Sequence, residues 1–549
     1  MPAQAATPVD PNDELLRQQQ RDKAQQERLE SAPDVRLDRP PEQGPAPRLP
    51  ERESPCFVID RLVLKGDAAE RFAWALDHAA GEGDSPIGRC LGADGVNLVM
   101  KRVQNAIVGD GYVTARILAE PQDLKSGTLQ LTVVPGRVRA IRSPAGTDER
   151  ITYWNAFPMA PGDLLNLRDI EQALENLKRV PTVEADILIA PSEAPDAKPG
   201  DSDLVVSWRQ AFPYRISLSI DDSGSKATGR YQAGLTISAD HLFTLNDLFY
   251  YTANQNLGRD DDAYGTRGDT AHYSLPVGYW LLGVTHGTSD YHQSVPGIDQ
   301  THRYSGNSRS SDIRLSRMVR RDAASKTALG LRGWQRSSHN FIDDTEVLAQ
   351  QRRTAGWELN GNHKHFLGTA TLEVNLAWRQ GTGAHRSQPA PEQAIGEGAS
   401  HPRLIAADAT LAKPFTWLGL GMRYNLAWRA QWNRTPLAPP DRFAIGGRYT
   451  VRGFDGENLL SADHGWLVRN DLSVALGGGA ESYFGLDHGR VGGPAAVRLI
   501  GRELEGAALG LRGSLYSLNY DFFVGRPLKK PAGFVTARST SGFMLNLSY

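Results

Sequence analysis

The 549-residue sequence has little cysteine, little net charge and no long apolar run. Its net charge is −2 and its pI about 6.7, so it lacks the basic field that recruits nucleic acid. The sequence contains no stretch of about 18 apolar residues, which excludes an ordinary membrane-spanning helix. A barrel embedded in a membrane remains compatible with the mean hydropathy of −0.42, because its strands alternate lipid-facing apolar residues with lumen-facing polar ones.

A secretory signal is also missing from the amino terminus. Residues 1–6 carry neither a charged segment nor an apolar core, so we interpret the chain as a mature sequence with an added initiator methionine. A cytosolic protein is the alternative. The two cysteines, Cys56 and Cys90, fall within one predicted unit. A disulfide between them would close a loop of about 35 residues, stabilise the unit by about 4 kcal/mol and imply an oxidising compartment. Two unpaired buried thiols are the alternative to that bond.

The amino-terminal segment predicts a polar helix followed by an extended linker. Residues 1–31 include pairs of opposite charge at helical spacing, such as Asp13 and Arg17, but no apolar stripe. The helix is therefore either a solvated tail or a plug inside a water-filled lumen. Residues 32–53 are rich in proline and could span roughly 70 Å in polyproline form.

Two small α+β units are predicted next, at 54–136 and 137–210. Each is expected to run strand, helix, helix, strand, strand, which makes a tandem repeat of two. Asp94 is the expected cap of a helix in the first unit and Asn166 the expected cap of a helix in the second.

From 211 to 549 the sequence reads as strands with alternating apolar and polar residues. Sixteen strands with their loops fit this length, although 12 or 18 would also fit. In the last strand, Phe543, Leu545, Leu547 and Tyr549 fall on one face. A closing strand with an apolar face and a terminal aromatic residue is typical of an outer-membrane β-barrel.

The most informative motif, V-R-G-F at 451–454, lies in a long polar loop at about 433–465. Two small α+β units followed by a barrel with this motif resemble the two-partner secretion transporters (TpsB family), relatives of the barrel-assembly insertases. The resemblance covers essentially the whole chain. Three further groups of residues carry it: DDSG with TGRYQ at 221–232, FGLDHG at 484–489 and GRPLKKP at 525–531.

The resemblance implies a membrane all-β fold. A 16-stranded transmembrane β-barrel would follow two periplasmic α+β POTRA domains and an N-terminal plug helix, and the long loop would fold back into the lumen. It further implies that Arg452 pairs with Asp487 on the barrel wall. The alternative is that both are ordinary lumen charges. The expected site comprises the loop tip Val451, Arg452, Gly453 and Phe454 and the wall residues Phe484, Asp487 and Gly489.

The implied function is transport of one large, β-helical exoprotein across the outer membrane. POTRA domains would recognise the unfolded cargo, and the barrel would pass it to the surface without nucleotide hydrolysis. In this family the cargo includes adhesins, haemolysins and contact-dependent inhibition toxins. We predict strands 112–118 and 182–190 as the sheet edges that receive an extended segment. The alternatives are a barrel assembly or insertion factor and, less consistent with two such domains, a passive porin or receptor.

The other expected partners are outer-membrane lipid and the barrel-assembly machinery that would insert the chain, which we expect to be a monomer. No catalysis, cofactor or metal is predicted. Gly83-Asp84-Ser85-Pro86 resembles the start of a hydrolase motif without a placed histidine, His363 and His365 lack a third ligand, and the glycines at 477–479 open no helix. No phosphate-binding loop is present.

Overall fold

The computed structural model describes residues 11–30, 33–37, 47–258 and 263–549. The remaining parts of the predicted helix and linker segments lie outside the described residues. Helix α1 (Pro11–Leu29) comes first, two small α+β units follow, and a closed barrel occupies the rest of the chain. Among the described helices, none is long and apolar enough to cross a membrane.

The first small unit packs two helices against a three-stranded sheet. Its elements are β1 (Phe57–Ile59), β2 (Arg61–Gly66), α2 (Ala69–Phe72), β3 (Arg89–Leu91), α3 (Ala93–Gly109), β4 (Arg116–Leu118) and β5 (Thr128–Val134). The sheet order is β2-β5-β4, with β2 parallel to β5, and β1 pairs separately with β3. From Gly95 onward every fourth residue of α3 is buried, and Val99, Val103 and Ile107 face the alternate buried residues of β5.

The predicted cap of α3 is wrong. Gly92 occupies the N-cap position, and Asp94 lies inside the first turn. The carboxylate of Glu53 instead accepts hydrogen bonds from the backbone N–H groups of Gly92, Asp94 and Gly95, at 2.8, 2.9 and 3.1 Å. A carboxylate brought in from the preceding segment thus satisfies the free N–H groups at the helix start.

The second unit contains β6 (Arg137–Arg142), α4 (Leu167–Lys178), β7 (Val183–Pro191) and β8 (Asp201–Gln210), with sheet order β6-β8-β7. The expectation of two helices here is wrong, because 143–166 forms turns and loops. That stretch contains three prolines and two glycines, which oppose a continuous helix. Asn166 caps α4 as predicted, since its side chain accepts the N–H of Arg168 at 2.8 Å.

The predicted 16-stranded closed barrel is confirmed. Its closure is made by the last strand, which pairs antiparallel with the first through Leu547 and Leu218. The strands from the barrel onward are β9 (Tyr214–Asp221), β10 (Tyr231–Asp240), β11 (Leu248–Leu257), β12 (Tyr264–Val277), β13 (Trp280–Pro296), β14 (Thr301–Arg321), β15 (Ser325–Ile342), β16 (Thr345–Glu346), β17 (Arg352–Leu367), β18 (Ala370–Thr382), β19 (Arg403–Trp417), β20 (Leu420–Asn433), β21 (Phe443–Ile445), β22 (Leu460–Ala462), β23 (His464–Gly477), β24 (Ala480–Gly492), β25 (Glu503–Leu515), β26 (Leu518–Lys529) and β27 (Thr540–Ser548).

Three of these strands are not part of the wall: β16 is a two-residue extension in a loop, and β21 pairs with β22 inside the loop at 434–463. Because β9 follows directly on β8, the small units lie at one end of the barrel, which we call the proximal end. Tight turns such as 278–279 and 478–479 connect the strands there, and longer loops connect them at the opposite, distal end.

Candidate functional site

The loop at 434–463 leaves the distal end of β20 and folds back into the barrel. Its short β21–β22 hairpin is packed against the wall by an apolar cluster. Val451 and Ile445 are fully buried there, and Phe454 is 3% exposed. The wall contributes Leu467 and Leu504 to the same cluster. The loop is therefore fixed by burial of apolar surface as well as by polar contacts.

Arg452 lies at the tip of this loop and is 3% exposed. Its Nε donates to Asp487 Oδ2 and its Nη2 to Asp487 Oδ1, both at 2.7 Å. The same Nη2 donates to Asp471 Oδ1 at 2.6 Å, and the backbone N–H of Arg452 donates to Asp487 Oδ2 at 2.8 Å. The guanidinium also lies 5.8 Å from the ring centre of Tyr483. This is a two-carboxylate site with bidentate geometry that only an arginine fills.

Space for the arginine comes from glycines opposite the two aspartates. In the sheet register, Asp471 faces Gly485 and Asp487 faces Gly506. A Cβ atom at Gly485 would stand 2.4 Å from Arg452 Nη2, and one at Gly506 would stand 1.8 Å from the Arg452 carbonyl oxygen. Side chains at either position would expel the loop tip, so this part of the wall is shaped to receive it.

The rest of the V-R-G-F tip is held just as closely. A Cβ at Gly489 would lie 2.8 Å from Val451 Cγ2, so Gly489 adjoins the tip as expected. Gly453 has φ +97°, and a Cβ there would lie 2.4 Å from the Arg526 carbonyl oxygen. Phe454 packs edge-to-face on Phe534 with ring centres 5.9 Å apart. The glycine in the motif is therefore required by both its backbone conformation and its neighbour.

Phe484 does not join this site. It stands three residues from Asp487 on β24, so strand alternation turns it to the opposite face, where it is 48% exposed. The structure instead adds Asp471, Gly485 and Gly506, which sequence reasoning missed. A usable signal existed for one of them, because charged residues at alternate positions 469 and 471 of a barrel strand predict a lumen-facing pair.

Helix α1 lies inside the barrel. Its polar side chains reach strands around the lumen: Lys23 Nζ lies 3.5 Å from Asp408 on β19, and Gln25 Oε1 accepts from Asn254 Nδ2 on β11 at 3.4 Å. Glu30, just after the helix, accepts from the Tyr250 hydroxyl at 3.0 Å. Of the two alternatives for this polar helix, a position within the lumen is therefore the one observed.

The helix and the inward loop touch each other directly. Arg17 donates through Nη2 to the Gly456 carbonyl oxygen at 2.7 Å and through Nη1 to Glu14 at 2.6 Å. Glu14, 1% exposed, in turn accepts from the Thr228 hydroxyl at 3.1 Å. The amino-terminal end of α1 is thus bonded to both the inward loop and the distal loop that precedes β10.

The remaining candidate residues have contacts that stabilise the fold. Cys56 and Cys90 are joined in a disulfide. Burial opposes ionisation of Asp84, but the Leu49 N–H and the guanidinium groups of Arg102 and Arg89 hold the pKa of that carboxyl below its ordinary value. This residue therefore fastens the linker to the first unit.

The glycines at 477–479 form the tight proximal turn between β23 and β24, with φ of +89°, +59° and +80°. Within the described residues, one group has the composition of a metal site: His488, Glu503 and Glu505. Lys529 Nζ lies 3.2 and 3.5 Å from these two glutamates and supplies a counter-charge, so the group is an ion-pair cluster.

Comparison with known proteins gives a consistent identity. Residues 200–513 match the family described as haemolysin secretion/activation protein ShlB/FhaC/HecB. Residues 57–136 match the ShlB-type POTRA domain and residues 137–191 match a further POTRA domain.

Individual relatives agree with these matches. The outer membrane transporter CdiB-2 of Burkholderia pseudomallei is 37% identical over 97% of this chain and 93% of its own length. The hemolysin transporter protein ShlB of Serratia marcescens is 26% identical over 81% of this chain and 77% of its own length. The solved structure of CdiB from Acinetobacter baumannii superposes with a TM-score of 0.87 at 30% identity, covering 99% of this chain and 100% of that one.

These relatives are transporters and not enzymes, and their barrels lie in the outer membrane with the POTRA domains in the periplasm. The proximal end of the barrel is therefore the periplasmic end. The chain belongs to the ShlB/FhaC/HecB family and is an outer-membrane transporter of two-partner secretion.

Proposed function

We propose that this transporter binds one large, unfolded, β-helical exoprotein through its POTRA domains and passes it through the barrel to the cell surface without nucleotide hydrolysis. The observation that carries the proposal is a lumen occupied by two elements held in different ways. Helix α1 is held mainly by polar contacts, whereas the inward loop is held by an apolar cluster and a buried arginine.

Polar contacts in a water-filled lumen are readily exchanged for contacts with water. Exposed ion pairs such as Lys23–Asp408 contribute about 0–1 kcal/mol each, so these contacts of α1 with the barrel wall are released at modest cost. The Arg452 site does not exchange so easily, because Asp487 is 3% exposed. Transport therefore begins with departure of α1, and the contact of Arg17 with Gly456 passes that departure on to the loop.

Cargo capture is assigned to the POTRA sheets. In the described part of the chain, β4 and β7 each pair with a single neighbouring strand and so lie at sheet edges. Strand β7 has nine residues and β4 three, which gives β7 more main-chain groups for an added strand. Val183, Ala185 and Ile187 of β7 are buried in the domain's own core. The edge therefore offers backbone hydrogen bonds and little side-chain selectivity.

The driving force is folding of the cargo outside the cell, since the periplasm supplies no nucleoside triphosphate and the sequence has no phosphate-binding loop. Because two of the compared relatives are CdiB transporters, a contact-dependent inhibition toxin is the first cargo to test.

The test is to fix α1 in place. Gln25→Cys and Asn254→Cys, whose native side chains are hydrogen-bonded, are joined by oxidation or by a short bis-maleimide. Export of the cognate exoprotein is expected to stop on cross-linking and to return when an oxidised pair is reduced. Each single-cysteine variant is the control and keeps full export.

Unimpaired export through the cross-linked barrel would contradict the proposal that α1 leaves. Export that is unaffected by deleting the chain, together with reduced levels of other outer-membrane barrels, would point to an assembly factor instead.

A further inference from the structure

Residues 34–37, the sequence Asp-Val-Arg-Leu, form a segment bound between POTRA helix α4 and the periplasmic rim of the barrel. We call it the junction segment. It stands between α1 and the first POTRA domain in the chain. Its side chains alternate in exposure, with Val35 and Leu37 half-buried and Asp34 and Arg36 exposed, as in an extended peptide.

The main chain of the junction segment is bound by charged side chains. Glu175 Oε1 accepts the N–H of Val35 at 2.9 Å, and Glu171 Oε1 accepts the N–H of Leu37 at 2.8 Å. Arg321, from the end of β14, donates to the Val35 carbonyl oxygen at 2.7 Å. The two glutamates are four residues apart on α4, so their spacing matches N–H groups two residues apart on an extended chain.

The side chains of the segment are bound as well. Asp34 accepts from Lys326 Nζ at 2.6 Å and also pairs with Lys364. The Arg36 guanidinium lies 4.1 Å from the ring centre of Phe366. Val35 and Leu37 pack on the apolar core of the second POTRA domain.

The receiving groove is built into the protein. The side chains of Glu171 and Arg321 are 1% and 2% exposed, and Arg321 holds both glutamates through Nε to Glu171 at 3.1 Å and Nη1 to Glu175 at 2.8 Å. Charged groups that are buried and fixed in this way form a preorganised receptor for a peptide backbone. The two glutamates come from POTRA helix α4 and the arginine from barrel strand β14, so the groove exists only where the POTRA domain and the barrel meet.

We propose that this groove is a cargo site for an extended peptide of acidic–apolar–basic–apolar pattern, and that the junction segment occupies it in cis until cargo displaces it. The inference rests on the proposed transport function. It gives that function a trigger, because the junction segment begins a few residues after the carboxyl end of α1. Cargo that displaces the segment frees the tether of the helix that closes the lumen.

The cis occupant sets the size of the effect to be measured. A segment tethered by a short linker competes at an effective concentration of about 1 mM. For a peptide with an intrinsic Kd of about 10–100 μM, this competition weakens apparent binding about 10- to 100-fold.

The experiment uses the full chain in detergent and a fluorescent synthetic peptide, Pro-Asp-Val-Arg-Leu, which copies residues 33–37. In Val35→Pro/Leu37→Pro the two N–H groups that bind the glutamates are removed, so the segment leaves the groove. The peptide is expected to bind this variant at least tenfold more tightly than wild type. A scrambled peptide, Val-Pro-Leu-Asp-Arg, is the control and binds neither protein.

A second variant, Asp34→Ala/Arg36→Ala, removes only side-chain contacts and is expected to bind the peptide with intermediate affinity. Heat-modifiable electrophoretic mobility verifies that each barrel is folded. Equal affinity for wild type and both variants, or equal binding of the scrambled peptide, would overturn the groove.

Export assays separate the two levels of the argument. Tight peptide binding by the variants while wild type exports no exoprotein refutes the transport function and leaves the groove in place. Export by wild type without any peptide binding refutes the groove alone.

Discussion

Arg452 offers the most demanding test of the loop tip. Replacement by alanine removes three charge-assisted hydrogen bonds, two to Asp487 and one to Asp471. The carboxylate of Asp487 then keeps the backbone N–H of residue 452 and an Arg469 guanidinium at 3.9 Å. Loss of one partner from a buried ion pair costs about 3–5 kcal/mol. A loss of about 3 kcal/mol moves the equilibrium between docked and undocked loop by about 150-fold.

Lysine at position 452 keeps the charge but forms one of the three bonds at a time. Each lost bond to a charged group costs about 1.5–3 kcal/mol, so we expect Arg452→Lys to be impaired although less than Arg452→Ala.

The matched control is Arg379→Ala. Arg379 makes a wall-to-wall pair with Glu358, with Nε at 2.9 Å and Nη2 at 2.8 Å from its Oε2, and this pair joins two neighbouring strands of the wall.

Undocking is measured by maleimide labelling of Thr450→Cys, a position that is 3% exposed. The native cysteines are disulfide-bonded and do not react. The labelling rate is expected to rise about 100-fold in Arg452→Ala and to stay unchanged in Arg379→Ala. Export is likewise expected to fall in Arg452→Ala and to stay unchanged in Arg379→Ala. If labelling and export matched wild type in both Arg452 variants, the latch role of the loop tip would be refuted.

Three further results are expected. Gly506→Ala should show the same labelling rate at Thr450→Cys and the same export as Arg452→Ala, because the added Cβ would lie 1.8 Å from the Arg452 carbonyl oxygen. The control is Gly421→Ala, whose added Cβ would have only ordinary contacts. Equal labelling and export in the two glycine variants would contradict the steric argument. Cys56→Ser should lower the unfolding free energy of the first POTRA domain by about 4 kcal/mol in denaturant titrations, and an unchanged midpoint would count against the bond. Asp84→Asn should lower the melting temperature of the first POTRA domain at pH 7. Because the folded pKa of Asp84 is depressed, the stabilisation by its carboxylate is present above the unfolded pKa of about 3.9 and is lost as pH falls through the folded value. The difference in melting temperature between wild type and variant should therefore narrow below pH 4, and a difference that stays constant with pH would exclude the charge of Asp84 as its cause.

The sequence by itself determined the general order of the chain, with two small α+β units before a long run of strands, and left the number of strands open. Alternation of apolar and polar residues requires only that neighbouring residues of a strand face opposite sides, so the barrel and the outward face of Phe543, Leu545 and Leu547 follow from local pattern. The helical spacing of α3 and the Asn166 cap of α4 are local in the same sense. The pairing of Arg452 with Asp487 came from resemblance to a family and not from spacing.

The tertiary structure decided what depends on residues far apart in the chain. Glu53 replaced Asp94 as the partner of the α3 start, because a carboxylate from the preceding segment reaches the same N–H groups. The polar helix α1 has no apolar stripe to reveal its position, and only contacts with several strands place it in the lumen. Register across three strands set Gly485 and Gly506 opposite the two aspartates, and register is fixed by the closed sheet as a whole.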